Sequence, residues 1–273
     1  MAPLLGAELV VAGVGGAGAY FVLSRRKYAW KLEKALGLKE EAELDLPPGV
    51  TQEYNLPDID RVAFKEAFLH NVDFKWLAAH PGIEDNAHPN SKVMLDMTWF
   101  VIEGYLRMVE RFGFLLVKRD DEGKFQGAIG LLPPYARWWH YQTHDKVVAM
   151  SLSRMGRKST VDKLGCHKRF KAYKNALNEH QKEVVLNDER GSGHWSIPII
   201  GVASGSQGHG TGRLLAETVT RLCPRPIYVA CSEHRETFFQ KVGFVVDKRF
   251  PMCSEGGNQK LEDIIYYNSM TCK

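Results

Sequence analysis

The chain has 273 residues, 44% hydrophobic and 25% charged, which is enough apolar material for one core with a short appendage and too much for a disordered polypeptide. Its 36 Lys and Arg against 32 Asp and Glu leave a formal net charge of +4, with the two signs interspersed. No basic stripe is interleaved with stacking aromatics, so no nucleic-acid partner is expected.

The five cysteines, Cys166, Cys223, Cys231, Cys253 and Cys272, are odd in number and show no C-x-x-C spacing. They read as reduced thiols of a cytosol-like compartment. A structural zinc site needs clustered ligands, and His140 with His144, four apart, supplies only two. No metal is expected.

From Leu4 to Leu23 the sequence is LLGAELVVAGVGGAGAYFVL, in which Glu8 is the only charge, followed by Ser24-Arg25-Arg26-Lys27. Such a run is long enough to cross the hydrocarbon core as a helix. It contains a formal G-x-G-x-x-G, but a dinucleotide fingerprint needs a strand before it and an amphipathic helix after it, and a basic cluster follows instead. Basic residues behind the apolar run, not before it, also oppose a cleaved signal peptide. Residues 1–27 are therefore expected to form a single-pass anchor with the bulk of the chain facing the cytosol.

Residues 28–57 read as a juxtamembrane spacer, charged and helix-prone to Leu46 and then broken by Pro47-Pro48-Gly49. A globular domain is expected over 58–273. Apolar spacing predicts helices over 58–71 and 92–112, the second presenting Met94, Met97, Val101, Leu106 and Val109 on one face. GFLLVK at 113–118 and FQGAIGLL at 125–132 read as strands flanking a turn at Asp120–Gly123. The polar 135–190 stretch reads as mainly helical, and its Trp138-Trp139-His140 as a membrane-proximal or core aromatic cluster, with a wall of an acceptor site as the alternative. Further on come a strand at 194–202, a glycine loop, a helix to about Cys223, a strand at 227–231, a helix over 237–242 and a final pair of strands. This alternation predicts an α/β (α+β) sheet protein.

The glycine loop GSQGHGTGRLL at 205–215 lies between an apolar strand and an amphipathic helix. A helix start has unpaired N–H groups and partial positive charge, so the loop is suited to a phosphate. It is not a P-loop, because no Lys-Ser/Thr pair follows the last glycine.

Gln207-Gly208-His209-Gly210-Thr211-Gly212 matches the Gln/Arg-x-x-Gly-x-Gly/Ala hallmark of the GNAT superfamily of acyl-CoA-dependent N-acyltransferases, which the chain resembles. Ile199-Ile200-Gly201-Val202 precedes the loop as that family's central strand does. Phe238-Phe239-Gln240-Lys241-Val242-Gly243-Phe244 resembles its Phe-Tyr-Glu-Lys-x-Gly-Phe segment, and His194-Trp195-Ser196-Ile197-Pro198 resembles a subgroup's His-Trp-x-x-Pro. The likeness runs from about Asp58 to Thr271, with the specific motifs confined to 194–244.

The resemblance implies a mixed, mostly antiparallel central sheet flanked by helices, and acetyl-CoA as co-substrate. The CoA pyrophosphate would rest on Gln207, Gly208, His209, Gly210, Thr211, Gly212 and Arg213. The pantetheine arm would lie along Ile200, Gly201 and Val202, where a backbone N–H can serve as oxyanion donor. The family's proton-donating tyrosine corresponds to Phe239, which cannot donate. Ser232, Cys231 or His234 are the candidates to replace it, directly or through water, with protonation of the thiolate by solvent as the alternative, and His194 is the candidate general base. Two functions follow: acetyl transfer to a primary amine of unknown identity, or a catalytically silent acyl-CoA-binding or interaction module on the same fold. The expected partners are that amine and a membrane; a homodimer is left open.

Overall fold

The structure, a computed structural model, describes residues 44–78, 91–134, 194–223, 226–252 and 265–272, with positions 169, 172, 173, 175–177, 179, 180 and 183 of a helical stretch. Leu4–Leu23, Trp138, Trp139 and His140 lie outside the described residues. No helix among the described residues is long and apolar enough to cross a membrane.

In chain order the elements are β1 (Val50–Glu53), α1 (Asp58–Glu66), α2 (Val72–Ala78), α3 (Lys92–Phe112), β2 (Phe114–Arg119), β3 (Phe125–Leu132), β4 (Trp195–Val202), α4 (Thr211–Leu222), β5 (Ile227–Ser232), α5 (Glu236–Gln240), β6 (Val245–Met252) and β7 (Ile265–Cys272). The seven strands form one sheet in the order β1-β2-β3-β4-β5-β7-β6. Every neighbouring pair is antiparallel except β4 and β5, which run parallel. The mixed, mostly antiparallel sheet expected from the sequence is therefore present. β1 lies inside the stretch read as a spacer; its Val50 pairs with Lys118, so the sheet starts before Asp58.

Strand alternation sorts the core into two layers. Leu115, Val117, Ala128, Leu132 and Ile199 face Phe64, Phe74, Met94, Met97 and Val101 of α1 to α3. Phe114, Leu116, Ile129, Leu131 and Ile197 face Leu215, Ala216 and Val219 of α4. Strands covered on both faces read as continuous apolar runs, which is why FLLV and GAIGLL lack an alternating pattern.

The predicted helix over 92–112 forms with the bounds expected. The Ser91 Oγ accepts a hydrogen bond from the Met94 N–H at 3.0 Å and so caps its first turn. At its other end a Cβ on Gly113 would stand 1.7 Å from the Leu131 carbonyl oxygen, so only glycine lets α3 turn into β2 at this distance from β3. The helix expected over 58–71 divides instead: α1 stops at Glu66, and the Asn71 Oδ1 accepts from the Asp73 N–H at 2.7 Å to start α2. α1 is held on α3 by Arg61, whose guanidinium pairs with Glu103 at 3.1 Å and also with Glu110, while its Nε donates to the Leu56 carbonyl.

Candidate active site

The parallel pairing of β4 and β5 lasts three rungs, Trp195↔Ile227, Ser196↔Tyr228 and Ile197↔Val229. Pro198 follows with no N–H to offer, and beyond it the strands go separate ways. β4 continues against β3 through Val202↔Gly127, and β5 continues against β7 through Ser232↔Tyr267. The Ala203 N–H donates to Gln126, on the β3 side. By alternation the main-chain groups of Ile200 and Val202 point the other way, toward β5. The Val202 carbonyl accepts from the Gln207 Nε2 at 3.1 Å.

This notch is the centre of a cleft of about 700 Å³ lined by Ile197–Val202, Ser206–Gly208, Gly210–Arg213 and Val229–Ser232, with walls from α2, α3 and α5. The glycine loop closes one end. Gly208 and Gly210 have φ of 81° and 85°, left-handed values that suit glycine, and a Cβ on either would meet nothing within 4 Å. Gly210 is the N-cap of α4. The Leu214 N–H donates to the Gly210 carbonyl, and the N–H groups ahead of it are those that a helix start leaves without an intrahelical partner. Open glycine backbone, a helix start and the Arg213, Arg235 and Lys241 side chains on the same cleft fit a pyrophosphate. Arg213 is held by Glu217 at 2.7 Å, with both side chains largely exposed and free to exchange partners.

The candidate residues of the sequence separate into those inside this cleft and those outside it. Ile200, Gly201, Val202, Gln207, Gly208, Gly210, Thr211, Gly212, Arg213, Ser232 and Phe239 line it. His209 is exposed on the loop and is not among the lining residues. His194 precedes β4, at the opposite end of that strand from Val202, and does not line the cleft. His234 sits exposed in the turn after β5, also outside the lining. Cys231 lines the cleft, but burial pushes its thiol up to about 12, aided by Glu236 and Asp73, and its Sγ rests 3.5 Å from the Met270 Sδ. Phe239 is a core residue, packed edge-on to Phe238 and Phe244 at ring separations of 5.0 and 5.4 Å.

The cleft also contains a group of residues that sequence reasoning passed over. Asp73, in the first turn of α2, is 6% exposed and lines the cleft. Burial raises its carboxyl above the ordinary value; hydroxyl donation from Tyr267 and Ser232 and the charges of His234 and Arg235 oppose that rise. Its Oδ1 is buried and has no hydrogen-bond partner among the described residues. Tyr267 in turn meets Tyr173, and Tyr173 meets Tyr105. The Tyr173 hydroxyl is pushed up to about 12 by burial and by the neighbouring Asp73, and Tyr267 is raised for the same two reasons with Tyr173 added. The two rings stand edge to face at 5.7 Å. Asp73, Tyr105, Tyr173 and Tyr267 come from four separate parts of the chain, so no local motif announces them. The only legible signal was the Asn71-x-Asp73 start of α2.

No protein-family model matches the chain, and no curated protein matches it. Solved structures do resemble it. A structure described as histone acetyltransferase HPA2 and related acetyltransferase, from Corynebacterium glutamicum, is 16% identical over 82% of this chain and 96% of its own, with a TM-score of 0.44. Arylalkylamine N-acetyltransferase 2 from Aedes aegypti is 13% identical over 82% and 98%, with a TM-score of 0.45. An N-acetyltransferase from Staphylococcus aureus is 13% identical over 81% and 99%, with a TM-score of 0.43. In this chain itself, the seven-stranded, mostly antiparallel sheet flanked by helices is the architecture that the resemblance carried by residues 194–244 implied.

Proposed function

We propose that the protein is an N-acyltransferase that moves an acetyl group from acetyl-CoA to a primary amine by direct attack. The observation that carries this reading is the notch itself: an unpaired β4 edge that ends at a glycine loop and a helix start, all on one cleft. In this reading the loop amides from Gln207 to Arg213 hold the pyrophosphate, and the Ile200 and Val202 main-chain groups pair with the amides of the pantetheine arm. A fixed N–H on that edge, aimed at the thioester oxygen, stabilises the charge that develops there.

Ile200 and Ser232 both lie beyond the last rung, Ile197↔Val229, and both line the cleft. The Ser232 hydroxyl can pass a proton to the departing thiolate, a role that Phe239 cannot fill. Phe239 favours a second reading, a catalytically silent acyl-CoA-binding or interaction module. Release of free thiol from acetyl-CoA in the presence of a panel of primary amines separates the two: amine-dependent release supports transfer, and tight CoA binding with no release on any amine supports the silent module. The Leu4–Leu23 segment would tether the domain to the cytosolic face of a membrane, and retention of the full chain in the membrane pellet after alkaline carbonate extraction tests that part.

A further inference from the structure

The notch leaves an acyl group one direction in which to grow. Ahead of it the last rung, Ile197↔Val229, closes the gap between β4 and β5. On one face of the sheet Leu215 of α4 and Phe239 of α5, both buried, fill the layer. On the other face the cleft continues along Phe68, Phe74, Ile102 and Tyr105. Phe68 stands directly on β4 there: a Cβ on Gly201 would lie 2.7 Å from the Phe68 Cε2 and 2.8 Å from the Phe64 Cε2. Only a glycine lets two ring edges come so close to the strand, between the two residues whose main chain is free for the pantetheine arm.

Phe68 is held in that position. Its N–H donates to the Lys65 carbonyl and its carbonyl accepts from the Asn71 N–H, each at 3.0 Å, in the turn that joins α1 to α2. Its ring is braced by Phe64 at 5.4 Å and by Phe74 at 5.6 Å, with Gly201 beneath. The residue is half-buried and lines the cleft. A ring supported on three sides, over a strand position with no side chain to yield, cannot retreat from a ligand that presses on it.

We propose that Phe68 sets the length of the acyl group and confines the donor to short-chain thioesters. The proposal rests on the acyl-CoA reading above and adds to it a residue and a limit. A two-carbon acyl group ends within the notch. A longer chain has to turn onto the face that Phe68 occupies, and overpacking there weakens binding by roughly tenfold or more. Without the ring, the path to Phe74 and Ile102 is open, and each methylene buried against them strengthens binding.

The test titrates coenzyme A, acetyl-CoA and hexanoyl-CoA calorimetrically into the full chain with no amine present. The wild-type chain is expected to bind hexanoyl-CoA roughly tenfold or more weakly than acetyl-CoA. In Phe68→Ala that order is expected to level or reverse, while coenzyme A, which carries no acyl group, binds as it does to the wild type and so reports an intact fold. Phe68→Leu keeps an apolar side chain over Gly201, serves where the alanine variant does not fold, and is expected to move the ratio the same way by a smaller factor. A purely structural role for Phe68 would weaken all three ligands alike and leave the ratio of the two thioesters where it was. Equal binding of the two thioesters by the wild-type chain overturns the proposal, as does a ratio unchanged in the folded variants. Those outcomes leave the donor reading standing, since coenzyme A still binds. Failure of the wild-type chain to bind coenzyme A and both thioesters overturns the donor reading, and the proposal with it.

Discussion

Ile197 on β4 and Val229 on β5 form the last rung that these two strands share. The proposed donor site follows from the separation beyond it. Pro198 withdraws a donor, β4 keeps its β3 partner, β5 keeps its β7 partner, and a strip of main chain is left for a ligand. The glycine loop must then hold the end of that strip open. Gly210, with φ of 85° at the N-cap of α4, is its most demanding position. Gly210→Val places a branched side chain in the left-handed region, at a cost of about 1–3 kcal/mol, and fills the open space before the helix start. The expected result is a lower unfolding temperature and coenzyme A affinity reduced roughly tenfold or more, measured by thermal unfolding and calorimetry. Unchanged affinity would count against the loop.

Ser232 lines the cleft and donates to Asp73. Ser232→Ala removes the hydroxyl without adding volume and leaves the β4 edge and the loop untouched. Turnover is expected to fall on the order of tenfold or more, the lower range for a positioned proton-transfer group, with coenzyme A affinity unchanged. A fall in affinity with turnover preserved would place Ser232 in binding and not in proton transfer. Steady-state kinetics beside calorimetry distinguish the two.

Asp73 should also be visible in stability against pH. Its carboxyl is raised above the ordinary 3.8 by burial, so the folded chain keeps this proton where the unfolded chain has lost it. The stability this contributes is fully present below about 3.8 and is lost as pH rises through the folded value. Asp73→Asn has no such loss. Denaturant unfolding at a series of pH values should therefore show the variant gaining on the wild type as pH rises from acid toward neutral. A difference that grows as pH falls would mean that the folded carboxyl is lowered, not raised.

Arg61 is the keystone of the other wall. Its guanidinium joins Glu103 and Glu110 of α3, all three side chains being largely buried, and those two partners together with hydrogen bonding hold its pKa above the ordinary arginine value against the opposing effect of burial. Arg61→Met leaves the buried Glu110 without its cationic partner and Glu103 with only Arg107, at 2.6 Å. A loss of roughly 3–5 kcal/mol is expected, read from the shift in denaturation midpoint. A loss under about 1 kcal/mol would mean that the pair behaves as a solvent-screened surface contact.

The unit from β4 to α5 was legible because its chemistry is written locally: strand, loop, helix and strand follow one another within fifty residues, and glycines mark the turns. The helix of residues 92–112 was legible for a different reason, since an apolar stripe under a serine cap has few other interpretations. β1 escaped notice because four residues, VTQE, are too few for a period, and Lys118 and Leu115 that pair across from its ends lie far along the chain. The break between α1 and α2 escaped notice because the apolar spacing continues through Phe68 while only Asn71 signals a restart. Apart from the Asn71 start of α2, the Asp73 cluster left no local signal. Asp73, Ser232 and Tyr267 belong to a helix and two strands that meet only once β5 and β7 have paired, and long-range pairing leaves no local trace. His194 drew attention by its residue type at a strand start, yet a strand separates its two ends, and the cleft opens at the other one.

A crystal structure of the chain with coenzyme A tests the central claim most directly. The pyrophosphate should lie within hydrogen-bond distance of main-chain N–H groups between Gln207 and Arg213, with the pantetheine amides paired to Ile200 and Val202 and the sulfur in the notch before Ser232. Coenzyme A bound elsewhere on the chain, or a β4 edge that stays unpaired with the ligand present, would contradict it.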